Sequence, residues 1–105
     1  MATTELTTPY AIEIVNYQLV EGADEDRFLE INRAVGAEFT SAQPGFLRRE
    51  IGRAEDGTWL IAVYWETPEH ARNSIGNIEK IPPSVETYMA SIDRATLTRS
   101  IFEMA

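Results

Sequence analysis

The 105-residue sequence predicts an α+β fold: one four-stranded antiparallel sheet with its helices on a single face. Two observations lead there. Four segments carry the β-branched and aromatic residues of strands, two carry apolar residues at helical spacing, and they alternate as β-α-β-β-α-β. Two of the strands are apolar on both sides and two are half-polar, which puts the first pair at the centre of the sheet.

The first strand is expected over Ala11 to Val20, AIEIVNYQLV, and Glu21-Gly22-Ala23 breaks it. Asp24 then caps a helix, and Asp24, Glu25 and Asp26 sit where the helix dipole favours negative charge. Phe28, Ile31, Val35 and Phe39 form its apolar stripe. Gly36 lowers helix propensity inside that stripe, which implies close packing against another backbone or a pocket. Gln43-Pro44-Gly45 ends the segment. Phe46 to Arg53 and Thr58 to Trp65 form a hairpin about Glu55-Asp56-Gly57, where Gly57 supplies a positive φ. Thr67-Pro68 starts a second helix, which Pro82-Pro83 interrupts and which resumes through Val85, Tyr88, Met89 and Ile92. The last strand is expected over Ala95 to Phe102.

Side-chain alternation assigns the faces. In strand one, Ile12, Ile14 and Val20 oppose Val15, Tyr17 and Leu19; in strand three, Trp59, Ile61, Val63 and Trp65 oppose Leu60, Ala62 and Tyr64. Strand two places Arg48 and Glu50 on one face, and strand four places Thr96, Thr98 and Ser100. With right-handed crossovers the order becomes 4-1-3-2, a ferredoxin-like sheet. Two helices cover only one side, so the second apolar face is expected to be buried against an identical sheet in a homodimer.

Length allows one domain, expected over residues 11–105, after a Thr-rich flexible leader over residues 1–10. Nine basic residues against 17 acidic give a net charge of −8, a surface that repels phosphate backbones and anionic lipid, so neither nucleic acid nor membrane is an expected partner. No run approaches the ~20 apolar residues of a membrane span and no signal peptide is visible, so a cytoplasmic location is expected. With no cysteine and one histidine, disulfides, thiolate nucleophiles, iron–sulfur clusters and Cys- or multi-His zinc sites are excluded. No metal site is expected. Ser-hydrolase, P-loop and dinucleotide motifs are absent.

The strand AIEIVNYQLV, the helix after VEGADEDRF, the AQPGFL approach to strand two and VYWETPEHAR after strand three resemble the dimeric α+β barrel superfamily. Within it, the resemblance is to the antibiotic-biosynthesis-monooxygenase-like group, over about Ala11 to Glu103. The resemblance implies a homodimer whose two sheets form a barrel, with a pocket between helices and sheet in each subunit. Members include cofactor-independent monooxygenases acting on aromatic polyketides, haem-degrading monooxygenases, isomerases and polyketide cyclases, so the fold alone does not choose the chemistry. Asn16 matches an asparagine of the haem-degrading members. Their tryptophan falls near Ser74 here, and no histidine follows His70, so haem degradation is not implied.

Five residues are the candidate site. Asn16, a polar residue in a central strand, would orient substrate or dioxygen. His70, about three residues into the second helix, would act as general base, being the only side chain with an unperturbed pKa near neutrality. Phe39, Trp65 and Tyr88 would wall a pocket for a small aromatic or apolar ligand. Arg48-Arg49 would meet an anionic substrate, or pair with surface acids. The expected activity is a monooxygenase without cofactor. The alternatives are a cyclase or isomerase using His70 and Tyr88 as an acid–base pair, and a non-catalytic binding dimer whose pocket is filled by its own side chains.

Overall fold

Alternating burial along Tyr10–Leu19 (β1) marks one side of the sheet as core: Ala11, Glu13 and Tyr17 are buried, while Ile12, Ile14 and Asn16 on the other side are half-covered. The computed structural model of the chain describes residues 6–76 and 82–105. After β1 come Glu25–Glu38 (α1), a short 3-10 turn at Thr40–Ala42, Phe46–Arg53 (β2) and Trp59–Trp65 (β3). Pro68–Gly76 (α2), Pro83–Ala90 (α3) and Ile92–Met104 (β4) complete the order. All strand pairs are antiparallel and the sheet order is β2-β3-β1-β4, the ferredoxin-like arrangement expected from the apolar patterns.

Local chemistry sets the element ends. The Asp24 carboxylate accepts a hydrogen bond from the Arg27 backbone N–H at 3.1 Å and so caps α1. Gly57 turns the hairpin at φ +89°, with its N–H donating to the Ala54 carbonyl. Pro83 occupies the first turn of α3, where a missing N–H costs nothing. Part of the expected leader, residues 1–5, and the stretch 77–81 before Pro82 lie outside the described residues.

Two boundaries differ from the sequence expectation. Val20 falls beyond β1 and is exposed, its N–H donating to the Ser91 carbonyl. The last strand starts at Ile92, not Ala95, and α3 stops at Ala90. The cause is a bulge: β1 Asn16 pairs with Thr98 but Gln18 pairs with Asp93, so β4 carries extra residues between those two rungs. Thr96 Oγ1 fills the gap, accepting from the Gln18 N–H at 2.8 Å and donating to the Asp93 carbonyl at 2.7 Å. The extra residues break the alternation, so periodicity missed the first rungs.

The helices all lie on the Tyr17 side of the sheet. Phe28 of α1 is the hub, edge-on to Tyr17 and Trp59 and stacked on Tyr88 of α3, with ring centroids 5.9, 5.1 and 5.5 Å away. Ile61, Val63 and Trp65 of β3 and Ala71 of α2 extend this core. On the opposite face Ile12 and Ile14 stand beside Tyr64 and Ala62 in register, and Leu60 and Phe102 are 36% and 53% exposed. An apolar strip therefore runs across the uncovered side.

Gly45 has φ +80°, and a Cβ added there would come within 2.3 Å of the His70 ring at Cγ. The ring thus packs on bare backbone between β2 and α2. Gly45→Ala is expected to destabilise the fold by at least about 2 kcal/mol in urea unfolding, the left-handed backbone accounting for about 1–2 of that. In a His70→Gly background, which removes Cβ as well as the ring, the loss should shrink toward the backbone share; equal losses in both backgrounds would mean the His70 side chain is not the obstacle.

Candidate functional site

Between the helices and the Tyr17 side of the sheet lies a cavity of about 540 Å³, the size range of small-molecule sites. Val15, Ile61 and Val63 form its sheet wall, and Val35, Val85 and Met89 face them from the helices. The β4 bulge adds Arg94 and Leu97 to the lining. Most of the wall is apolar, and two hydrogen-bonded sets of polar groups reach it.

The first set surrounds Arg49. Alternation along β2 sends Arg48 to the open face, where it pairs with Glu50 at 2.8 Å, and Arg49 to the helix side. The Arg49 guanidinium donates to the Asn32 backbone carbonyl at 2.9 Å and to its side-chain oxygen at 2.6 Å. It passes close to Gly36 of α1, where an added Cβ would stand 3.1 Å from Nη1. The glycine that sequence reasoning linked to a close approach leaves room for this side chain. Asn32, fully buried, donates in turn to the Tyr17 hydroxyl at 3.3 Å, and the Tyr17 and Tyr88 hydroxyls are 2.7 Å apart. Among the described residues no carboxylate lies within ion-pair distance of Arg49. Burial pulls its pKa down, with the two tyrosines opposing that pull. Burial pushes the Tyr17 hydroxyl well above its ordinary value, helped by neighbouring Tyr88, and pushes Tyr88 up as well.

The second set centres on Glu13, 6% exposed in the middle of β1. One carboxylate oxygen accepts from Trp65 Nε1 at 3.1 Å and the other accepts from Arg99 Nε of β4. Arg99 also donates to the Ala71 carbonyl of α2 at 2.8 Å, tying helix to sheet. A buried charge this well paired holds its neighbours in register and presents a carboxylate to the cavity. Among the described residues no three His, Cys, Asp or Glu side chains converge as metal ligands do.

Of the five residues singled out in the sequence, the structure brings Phe39, Trp65 and Tyr88 together around the cavity. Asn16 sits on the other side of the sheet, where its Nδ2 donates to the Trp59 carbonyl at 3.4 Å. His70 does not line the cavity: its Nδ1 lies 2.7 Å from Thr67 Oγ1 and its ring covers Gly45. His70 and Tyr88 are therefore not brought to one site. Glu13, Asn32 and Arg99 were not singled out, and Arg49 only as half of a pair. Each carried a signal in the sequence: Glu13 interrupts the face of Val15 and Tyr17, and Asn32 stands within the Phe28–Val35 stripe.

The two phenols hold their protons more tightly in the fold than in the unfolded chain. Their contribution to stability is complete below about pH 10 and is lost as pH rises past it toward the folded-state values. The urea midpoint should therefore fall between pH 10 and 11. A Tyr17→Phe/Tyr88→Phe double variant should show a shallower fall, and an equal slope would refute the linkage.

No protein-family model and no curated protein matches the sequence. Solved structures do match the fold. An antibiotic biosynthesis monooxygenase-like protein from Chloroflexus aurantiacus aligns over 91% of this chain and 93% of its own, with TM-score 0.60 and 20% identity. SnoaB, a cofactor-independent oxygenase from Streptomyces nogalater, aligns over 93% of both chains with TM-score 0.61 and 16% identity. A conserved protein from Methanosarcina mazei reaches TM-score 0.68 at 9% identity over 92% of this chain and 94% of its own. In strand order, helix placement and extent, the chain shares the fold of these antibiotic-biosynthesis-monooxygenase-like structures.

Proposed function

We propose that this protein is a cofactor-independent monooxygenase that oxidises a small, flat aromatic or quinone-like molecule in the cavity. The observation that carries the reading is the cavity itself. It is a largely apolar space of about 540 Å³, walled in part by Trp65, Tyr88 and Phe39, with one buried carboxylate and the paired hydroxyls of buried Tyr17 and half-buried Tyr88. The likeness to SnoaB, itself a cofactor-independent oxygenase, supports the same kind of chemistry.

The substrate that suits such a site carries a CH₂ group made acidic by an adjacent aromatic ketone. Removing one proton leaves an enolate whose electrons reduce dioxygen directly. One oxygen atom ends on that carbon as a carbonyl, and the other leaves as water with the two hydrogens the carbon has lost. Glu13 takes the proton, as the buried carboxylate of the lining. Arg49, a buried cation facing neutral acceptors only, favours the anionic intermediate. Asn16 and His70 take no part in this scheme, because neither reaches the cavity.

The working unit of this reading is a homodimer. The strip of Ile12, Ile14, Ala62, Tyr64 and Phe102 lies where a second copy of the sheet would bury it, and Asn16 would then face the partner. Sedimentation equilibrium should give twice the chain mass, and Ile14→Asp should give a folded monomer. A wild-type monomer at micromolar concentration would refute the dimer.

Aerobic turnover of anthrones and hydroquinones tests the chemistry. Oxygen uptake with stoichiometric product is expected from the metal-free protein, and Glu13→Gln should lower kcat by about 10²–10⁴. His70→Ala should leave turnover within about threefold, since the ring lies outside the cavity. No uptake across the panel, or full activity in Glu13→Gln, would overturn this assignment.

A further inference from the structure

Hydrogen-bond direction can be traced from one end of the Arg49 network to the other. A guanidinium has five N–H donors and no acceptor, so Arg49 can only donate. Both its contacts, at 2.9 and 2.6 Å, are to oxygens of Asn32. This fixes the orientation of the Asn32 amide: its oxygen faces Arg49 and its nitrogen donates to the Tyr17 hydroxyl. Tyr17 therefore accepts on that side.

Tyr17 is fully buried, and among the described residues its remaining hydrogen-bond neighbour is the Tyr88 hydroxyl at 2.7 Å. A buried O–H without an acceptor is costly, so the Tyr17 proton is donated to Tyr88. The Tyr88 oxygen accepts it. Its own proton then has no protein acceptor among the described residues, and Tyr88 lines the cavity. Every donor in the series Arg49, Asn32, Tyr17, Tyr88 points the same way, and the last one points at the ligand space.

We infer that Tyr88 is a specificity-determining hydrogen-bond donor and that the cavity selects ligands presenting a carbonyl or oxyanion oxygen to it. The inference rests on the cavity being the ligand site, as in the proposed function, and names the group that site recognises. A ligand lacking an acceptor leaves a buried donor unsatisfied; one carrying a ketone or enolate oxygen completes the series. The Arg49 charge acts on both hydroxyls, so the terminal donor is stronger than an isolated phenol. Burial, which keeps both phenols protonated, preserves the donor at neutral pH.

Two tricyclic probes of the same shape test this, 9-fluorenone with a carbonyl and fluorene without one. The full-length protein should bind fluorenone about tenfold or more tightly than fluorene, and the bound carbonyl stretch should move to lower frequency in infrared difference spectra. Tyr88→Phe should bring the two affinities within about twofold and return the stretch to its value in an apolar solvent. Asn32→Asp is the sharper variant, because a carboxylate accepts from both Arg49 and Tyr17. The Tyr17 proton then turns toward residue 32, Tyr88 donates to Tyr17, and the carbonyl preference should vanish although Tyr88 is intact. Fluorene affinity should not fall in either variant and should rise where the unsatisfied donor is removed. Equal wild-type affinity for the two probes, no binding of either, or an undiminished preference in Asn32→Asp would overturn the inference. Dioxygen takes no part in this binding. Absent oxygen uptake with the carbonyl preference intact would remove the oxygenase reading alone, and uptake without the preference would remove this one alone.

Discussion

A guanidinium taken out of water must find acceptors, and the arrangement of the cavity follows from how Arg49 finds them. Both acceptors belong to Asn32 on α1, so β2 is fastened to the helix that roofs the site. Gly36 gives the arginine room, since an added Cβ would press on its side chain at 3.1 Å. Asn32 must be an amide, because it has to accept from Arg49 and donate to Tyr17 at once. Tyr17, fixed in β1 and edge-on to Phe28, then orients Tyr88 on α3. Four elements meet through a single line of polar atoms, surrounded by the aromatic core that makes breaking it costly.

Glu13 plays a similar part on the same rung of the sheet, with Val63 between it and Arg49. It joins β1 to β3 through Trp65 and to β4 through Arg99, and Arg99 reaches α2 through the Ala71 carbonyl. The Arg99 side chain stays 30% exposed while Glu13 is buried, and ion pairs of this kind add little net stability in other proteins, so stability alone does not account for it. The placement does: both members line the cavity.

The fold was readable because its signals are local and periodic. Asp24, Pro83 and Gly57 act at element ends as their chemistry dictates, and two-sided apolarity in β1 and β3 placed those strands in the centre. Where the period breaks, reading failed: the β4 bulge hid the strand's first rungs and assigned Ile92 to a helix. The site was less legible for a different reason. Sequence reasoning went to residues with intrinsic reactivity, His70 above all, and to Asn16 as a polar residue in a central strand. Yet a histidine three residues into a helix points wherever that helix's first turn points, here onto Gly45. Asn16 fell on the opposite side of the sheet from Tyr17 by parity alone, and that parity was available from the alternation. Glu13 and Arg49 were equally visible by parity, as charges on the core-facing side of β1 and β2. The chain-to-chain geometry that joins Asn32 to both Arg49 and Tyr17 was not visible, because it depends on how α1 lies over the sheet.

That difference bears on how chemistry is distributed in this fold. The two faces of the sheet differ: one carries an uncovered apolar strip, and the other walls the cavity. A polar residue on the first face can tune assembly but cannot touch a ligand in the cavity of its own subunit. Residues that line the cavity come from all four strands and from α1, α2 and α3, and on β1, β2 and β3 they share one parity. Such a scaffold can host different reactions while its strands and helices stay in place. For this chain the distinguishing feature is the direction of its buried hydrogen bonds, which run from a cation outward to a phenol, and a ligand bearing oxygen is what that direction favours.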